Sequence, residues 1–127
     1  MTTDHGRLGD VTDAENLVPA WLTLPDIAEL LDIDVTRVRQ LVRDRQVIAL
    51  RRGENNALMV PEVFLQNGQV LKGLPGTLTL LQDARYTDEE AVRWLFTPDD
   101  TLPGSPVDAL VGNRGTEVRR RAQALGF

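Results

Sequence analysis

Residues 23–60 carry the pattern that most constrains the fold: two short amphipathic stretches separated by three residues, with a β-prone run directly after them. The first stretch begins near Pro25, which is tolerated in the first turn of a helix, and Thr23 before it is a suitable N-cap. Residues 32–34 suit a tight turn, and residues 35–45 show apolar residues at helical spacing. A hairpin over residues 47–60, turning at Gly53, completes the pattern of a winged helix-turn-helix.

The second predicted helix has one apolar and one polar face. Val35, Val38, Leu41 and Val42 recur at the spacing of an inward face. The open face carries guanidinium groups and an amide, the side chains that grip phosphates and read the edges of guanine and adenine. Two further arginines lie at the hairpin tip. The candidate DNA-binding residues are therefore Thr36, Arg37, Arg39, Gln40, Arg43, Arg45, Arg51 and Arg52.

The charge of this region is opposite to that of the whole chain. Residues 35–52 contain six arginines against Asp44, a net charge of +5, whereas the chain carries −5 and the remainder therefore −10. A basic island in an acidic protein favours a localised, salt-sensitive contact with a polyanion. The alternative is a solvated helix face whose arginines reflect a GC-rich genome. The charges concentrate on the two elements that touch DNA in a winged helix-turn-helix, and this favours DNA contact.

Several short motifs resemble those of known DNA-binding proteins. The chain resembles the MerR/excisionase type of helix-turn-helix in the motifs T-L-P-D-I-A-E-L-L, V-x-x-L-V-R and A-L-R-R-G. Over residues 20–127 the chain more closely resembles a family of small actinobacterial DNA-binding proteins, in P-E-V-F, L-P-G-T-L-T-L-L, W-L-F-T-P and P-V-D-A-L. The resemblance implies an N-terminal winged helix-turn-helix followed by a helical C-terminal domain.

The expected fold is mainly α with a small β-hairpin wing. We expect a disordered acidic tail over residues 1–18, the winged helix-turn-helix over 19–65 and a helical domain over 66–127, either as one compact domain or as two small ones sharing a core. The tail offers accessible hydroxyls at Thr2, Thr3 and Thr12, which are candidate sites for a Ser/Thr kinase. Phosphorylation there would add negative charge to an acidic segment and weaken DNA binding by repulsion. An unmodified tail is the favoured alternative.

The C-terminal half shows several helix signals. Residues 66–69 suit a turn and residues 74–84 a helix. Thr87 and Ser105 are suitable N-caps for two further helices, and Thr116 for a last one. The three acidic residues after Thr87 suit the positive end of a helix dipole better than a catalytic site. Residues 119–121 are three arginines, which we assign mainly to structure, with phosphate contact as the alternative.

A second class of function is open for this half. The pattern W-L…P…G-x-x-P-x-x-A-L partly resembles the C-terminal domains of certain antitoxins, which bind a toxin and help dimerisation. A protein-interaction module of this kind, antitoxin-like or an adaptor, would present an exposed apolar patch around Trp94, Leu95 and Leu110.

An enzyme lacks support in the sequence. The chain has no cysteine and one histidine, His5, so it offers no nucleophile–histidine pair and no metal-ligand cluster, and we expect no cofactor. No apolar run is long enough for a membrane span and the N-terminus does not resemble a signal peptide, so we expect a cytoplasmic protein without a membrane contact. The oligomeric state stays open, because no long heptad pattern is present.

Overall fold

A computed structural model describes residues 17–126. The predicted tail, with Thr2, Thr3 and Thr12, lies almost wholly outside the described residues. Within these residues, six α-helices and five short strands confirm a fold that is mainly α with a small β wing. In chain order they are β1 (Trp21–Thr23), α1 (Leu24–Leu31), α2 (Val35–Arg43), β2 (Leu50–Arg52), β3 (Ala57–Pro61), β4 (Leu65–Gln66), β5 (Gln69–Val70), α3 (Leu74–Asp83), α4 (Asp88–Phe96), α5 (Pro106–Val111) and α6 (Gly115–Ala124).

The wing is a three-stranded antiparallel sheet in the order β1-β3-β2. The predicted hairpin is confirmed in β2 and β3, where Leu50 lies opposite Met59. The strand β1, which the sequence did not predict, pairs with the other edge of β3 and places Thr23 opposite Met59 as well. Thr23 then caps α1: its Oγ1 accepts from the backbone N–H of Asp26 at 3.2 Å, and the Asp26 carboxylate accepts from the N–H of Thr23 at 3.1 Å.

The helix α2, which the sequence predicts as the DNA-recognition helix, is shorter than predicted. It ends at Arg43, and the prediction that it extends to Arg45 is wrong. Arg45 has a φ of 54°, in the left-handed region. The N–H of Arg45 donates to the carbonyl of Val42 at 3.1 Å, and the N–H of Gln46 to that of Leu41 at 2.9 Å. These are the two bonds of a Schellman motif, which turns the chain away from the helix axis two residues early.

The helices of the C-terminal half largely begin where their capping residues predict. Thr87 with Glu90 and Ser105 with Asp108 each form a complete capping box at the start of α4 and α5. The prediction that Thr116 caps the last helix is wrong, because Gly115 already has helical backbone and Arg114 is the N-cap residue. The predicted turn at residues 66–69 is a two-residue hairpin between β4 and β5, with positive φ at both residues of its Asn-Gly loop.

One hydrophobic cluster runs through both halves of the described chain. Phe64, just after the wing, packs against Phe96 of α4 with ring centroids 5.9 Å apart and a tilt of 35°. The apolar patch predicted for a protein-interaction module is not exposed: Leu95 and Leu110 are buried in this cluster, and Trp94 is half-buried. The two halves of the described chain therefore share a core.

The loop between α4 and α5 is tied to α6 by Arg121. Its Nε donates to Thr101 Oγ1 at 2.9 Å and its Nη2 to the Thr101 carbonyl at 3.1 Å. Hydrogen bonds from the hydroxyl and the N–H of Thr101 hold the pKa of Asp99 below its usual value. At least one of the three consecutive arginines thus serves the structure. Among residues 17–126, no helix has the length and apolar character needed to cross a membrane.

Candidate nucleic-acid interface

The recognition helix presents the predicted polar side chains on its open face. Val38 is fully buried against the rest of the domain, while Val35, Leu41 and Val42 are half-buried beside it. This packing fixes which side of the helix faces outward. The residues that the structure leaves exposed on that side are Thr36, Arg37, Arg39, Gln40 and Arg43.

Three arginines on this face have no polar partner in the described part of the chain. Within residues 17–126, the side chains of Arg37, Arg39 and Arg43 take part in no hydrogen bond or ion pair. Gln40 makes one long hydrogen bond, from its Nε2 to Asp44 Oδ2 at 3.5 Å. Since a solvated guanidinium keeps all five of its N–H donors available, this face is a strong donor surface for phosphate or base acceptors.

The start of α2 also lacks a side-chain cap. The side chain of its N-cap residue, Asp34, makes no capping hydrogen bond, whereas α1, α4 and α5 each begin with a capping box. The N-terminal turn of the second helix is the part that enters the groove in helix-turn-helix proteins. Its first backbone N–H groups therefore add to the donors of the arginines.

The wing brings a further arginine to the same surface. Arg51 of β2 is exposed, and its Nη1 donates to the carbonyl of Asn56 across the hairpin turn at 2.9 Å. Arg39 and Arg51 line one shallow depression of about 330 Å³ between α2, the wing and the start of α1. Thr23, Leu24, Pro25 and Leu58 form the rest of its wall. This grouping could not be predicted from residue spacing, because it depends on how the wing folds back over α1.

Arg52 lies elsewhere, although it is the next residue. Successive side chains of a strand point to opposite faces, so Arg52 points away from Arg51. Its Cζ lies 4.5 Å from the ring centroid of Trp21, a cation–π contact within the wing sheet. The structure thus does not bring Arg52 together with Arg39 and Arg51. The contact with DNA that the sequence predicts for Arg52 would lie outside the depression lined by these two arginines.

Arg45 is also separated from the open face. Its Nη1 lies 2.9 Å from Asp88 Oδ1, at the start of α4, and its side chain is 25% exposed. Of the eight predicted DNA-binding residues, five lie on the open face of α2, and Arg51 of the wing shares a depression with one of them, Arg39. No set of three or more potential ligand residues in the described part of the chain is arranged to hold a metal ion.

Comparison with known proteins adds two family matches. Residues 10–65 match "DNA-binding protein Rv2175c, wHTH domain", and residues 71–126 match "Rv2175c C-terminal domain of unknown function". The DNA-binding protein Rv2175c of Mycobacterium tuberculosis is 45% identical over 117 residues, which cover 82% of this chain and 79% of the relative. The NMR structure of Rv2175c is similar with a TM-score of 0.77 and 42% identity, covering 85% of this chain and 82% of that one.

Proposed function

The chain belongs to the Rv2175c family of winged helix-turn-helix DNA-binding proteins, and we propose that it is a transcriptional regulator that places α2 in the major groove of double-stranded DNA. The expected membership of a small actinobacterial family is confirmed. The matched family is described by DNA binding and not by an enzymatic activity. A regulator of this kind acts on the chromosome, in the cytoplasm.

The observation that carries the proposal is a group of arginines on one exposed helix face that have no partner within residues 17–126. Arg37, Arg39 and Arg43 make no hydrogen bond or ion pair within the described residues. They lie on the element that the fold presents to the groove. A chain with net charge −5 that keeps three free cations on this element has a surface suited to a polyanion.

The wing supports a division of roles within this surface. Arg39 and Arg51 face one depression and would grip a backbone phosphate from two sides. Thr36, Arg37 and Gln40, nearer the start of α2, would reach base edges, where guanidinium and amide groups recognise guanine and adenine. Arg43, one turn further along α2, would contact the flanking backbone.

The test is a titration of a fluorescent duplex at several salt concentrations. Arg39→Gln and Arg43→Gln should each weaken binding and reduce the dependence of log K on log salt by about 1 if they contact phosphates. Arg85→Gln is the matched control, since Arg85 is an exposed arginine that follows α3. It removes the same charge outside the proposed surface and should leave the slope unchanged.

Two results would contradict the proposal. If the wild-type protein does not bind the duplex at low salt, the arginine face serves another partner. If Arg85→Gln weakens binding as much as Arg39→Gln does, binding follows net charge rather than this surface. Regulation itself is tested by chromatin immunoprecipitation followed by transcript measurement on deletion of the gene, which should change transcripts near the bound sites.

A further inference from the structure

Arg45 lies at the corner where the recognition helix turns towards the wing. Residues 47 and 48, which follow it closely, are buried in the core, and β2 with Arg51 begins at residue 50. The chain between Arg39 and Arg51 therefore passes through this corner. Any freedom of the backbone there changes how the helix and the wing are arranged relative to each other.

The side chain of Arg45 ties this corner to the C-terminal half. The ion pair with Asp88 joins residues 43 positions apart, at a distance of 2.9 Å. Asp88 is the first residue of α4, directly after the Thr87 cap, where a carboxylate is favoured by the helix dipole. Glu90 completes the capping box by bonding to the N–H of Thr87, which leaves the Asp88 carboxylate for Arg45.

The backbone conformation at position 45 does not favour an arginine. Arg45 occupies the position of the Schellman motif that glycine normally takes, because a side chain is disfavoured at a φ of 54°. Arg85 ends α3 in the same way, with a φ of 70° and hydrogen bonds from its own N–H to the Gln82 carbonyl and from the N–H of Tyr86 to the Leu81 carbonyl. In the described residues the side chain of Arg85 makes no hydrogen bond or ion pair, so it offers a matched reference.

We infer that Arg45 is a positioning residue for DNA binding: through Asp88 it holds the α2–wing corner against α4, so that Arg39 and Arg51 face one phosphate. This inference rests on the proposed function. A fixed corner lowers the ordering that the surface must undergo when DNA binds. It also assigns a task to the C-terminal half, whose α4 would support the interface without touching DNA.

Four variants test the inference: Arg45→Gly, Asp88→Asn, the two combined, and Arg85→Gly as the control. Arg45→Gly and Arg85→Gly make the same change in the same backbone setting, but only the first loses an ion pair. Arg45→Gly should weaken duplex binding roughly twofold to fivefold, which lies within the range expected for a partly exposed ion pair, while Arg85→Gly leaves the affinity unchanged. Thermal melting of each variant shows whether the fold is intact.

Asp88→Asn gives the sharpest distinction. Removing a negative charge would by itself strengthen binding to DNA, so weaker binding by Asp88→Asn supports positioning. The combined variant should bind no worse than either single one, because both break the same contact. The dependence of affinity on salt should stay as in the wild type, since no phosphate contact is lost. Arg45→Lys should restore part of the affinity.

Other outcomes would overturn the inference. If Arg45→Gly lowers the salt dependence by about 1 while Asp88→Asn binds more tightly, Arg45 itself contacts a phosphate. Unchanged affinity in both single variants, or additive losses in the combined one, would show that the ion pair does not position the corner. Failure of the proposed function is seen separately, in the wild-type protein and in Arg39→Gln, whose behaviour does not depend on Arg45.

Discussion

Ile27 and Leu30 lie one turn apart on α1 but differ in burial. Ile27 is 1% exposed and packs in the core against α2, whereas Leu30 is 51% exposed. We expect Ile27→Ala to lower the free energy of unfolding by about 2–5 kcal/mol, through lost burial and the cavity left behind. Leu30→Ala should change it by less than about 0.5 kcal/mol. Urea denaturation followed by circular dichroism measures both, and equal effects would show that the packed side of α1 is misassigned.

The six arginines of residues 35–52 look alike in the sequence but make different contacts in the structure. Their charge and helical spacing were enough to predict a basic face, and five of the eight predicted residues lie on it. The spacing could not single out Arg45 and Arg52, because their partners are distant in the chain: Asp88 for the first and Trp21 for the second. Only tertiary contacts show which cations are already engaged.

At the scale of whole helices, Thr87 and Thr116 were both predicted as N-cap residues, but only Thr87 makes a capping hydrogen bond. Thr87 Oγ1 accepts from the N–H of Glu90 at 3.1 Å, so Thr87→Ala should lower the free energy of unfolding by about 0.5–2 kcal/mol. Thr116 lies inside α6 rather than at its cap, so Thr116→Ala should change it by less than about 0.5 kcal/mol. Thermal unfolding compares the two variants directly. A larger loss of stability for Thr116→Ala than for Thr87→Ala would indicate that Thr116 caps α6.

Elements defined by local signals were predicted well, and those defined by distant partners were not. The capping boxes of α4 and α5 each lie within four consecutive residues, and the sequence predicted Thr87 and Ser105 as the N-cap residues of these helices. The strand β1 has only three residues and forms by pairing with the edge of β3, which lies about 40 residues later in the chain: Trp21 pairs with Pro61. The early end of α2 likewise depends on Arg45 accepting a left-handed backbone, which its residue type does not favour.

Across the whole molecule, the continuous core makes a prediction about cooperativity. The winged helix-turn-helix and the C-terminal helices match separate family domains, but Phe64 and Phe96 pack across them within one hydrophobic cluster. Small proteins with a single core usually unfold in one step. We therefore expect the two halves of this chain to lose their structure together, although their sequences match different domains.

The two tryptophans allow this to be measured, since Trp21 lies in the wing sheet and Trp94 on α4. In Trp94→Phe the fluorescence reports on the N-terminal half, and in Trp21→Phe on the C-terminal half. Urea unfolding should give the same midpoint in both variants, and circular dichroism of the wild type should agree. Adding Phe64→Leu to each should lower both midpoints equally, because that ring packs against both halves. Separate midpoints, or a shift in the N-terminal reporter alone, would mean that the halves fold independently and that α4 cannot support the DNA-binding surface as a fixed frame.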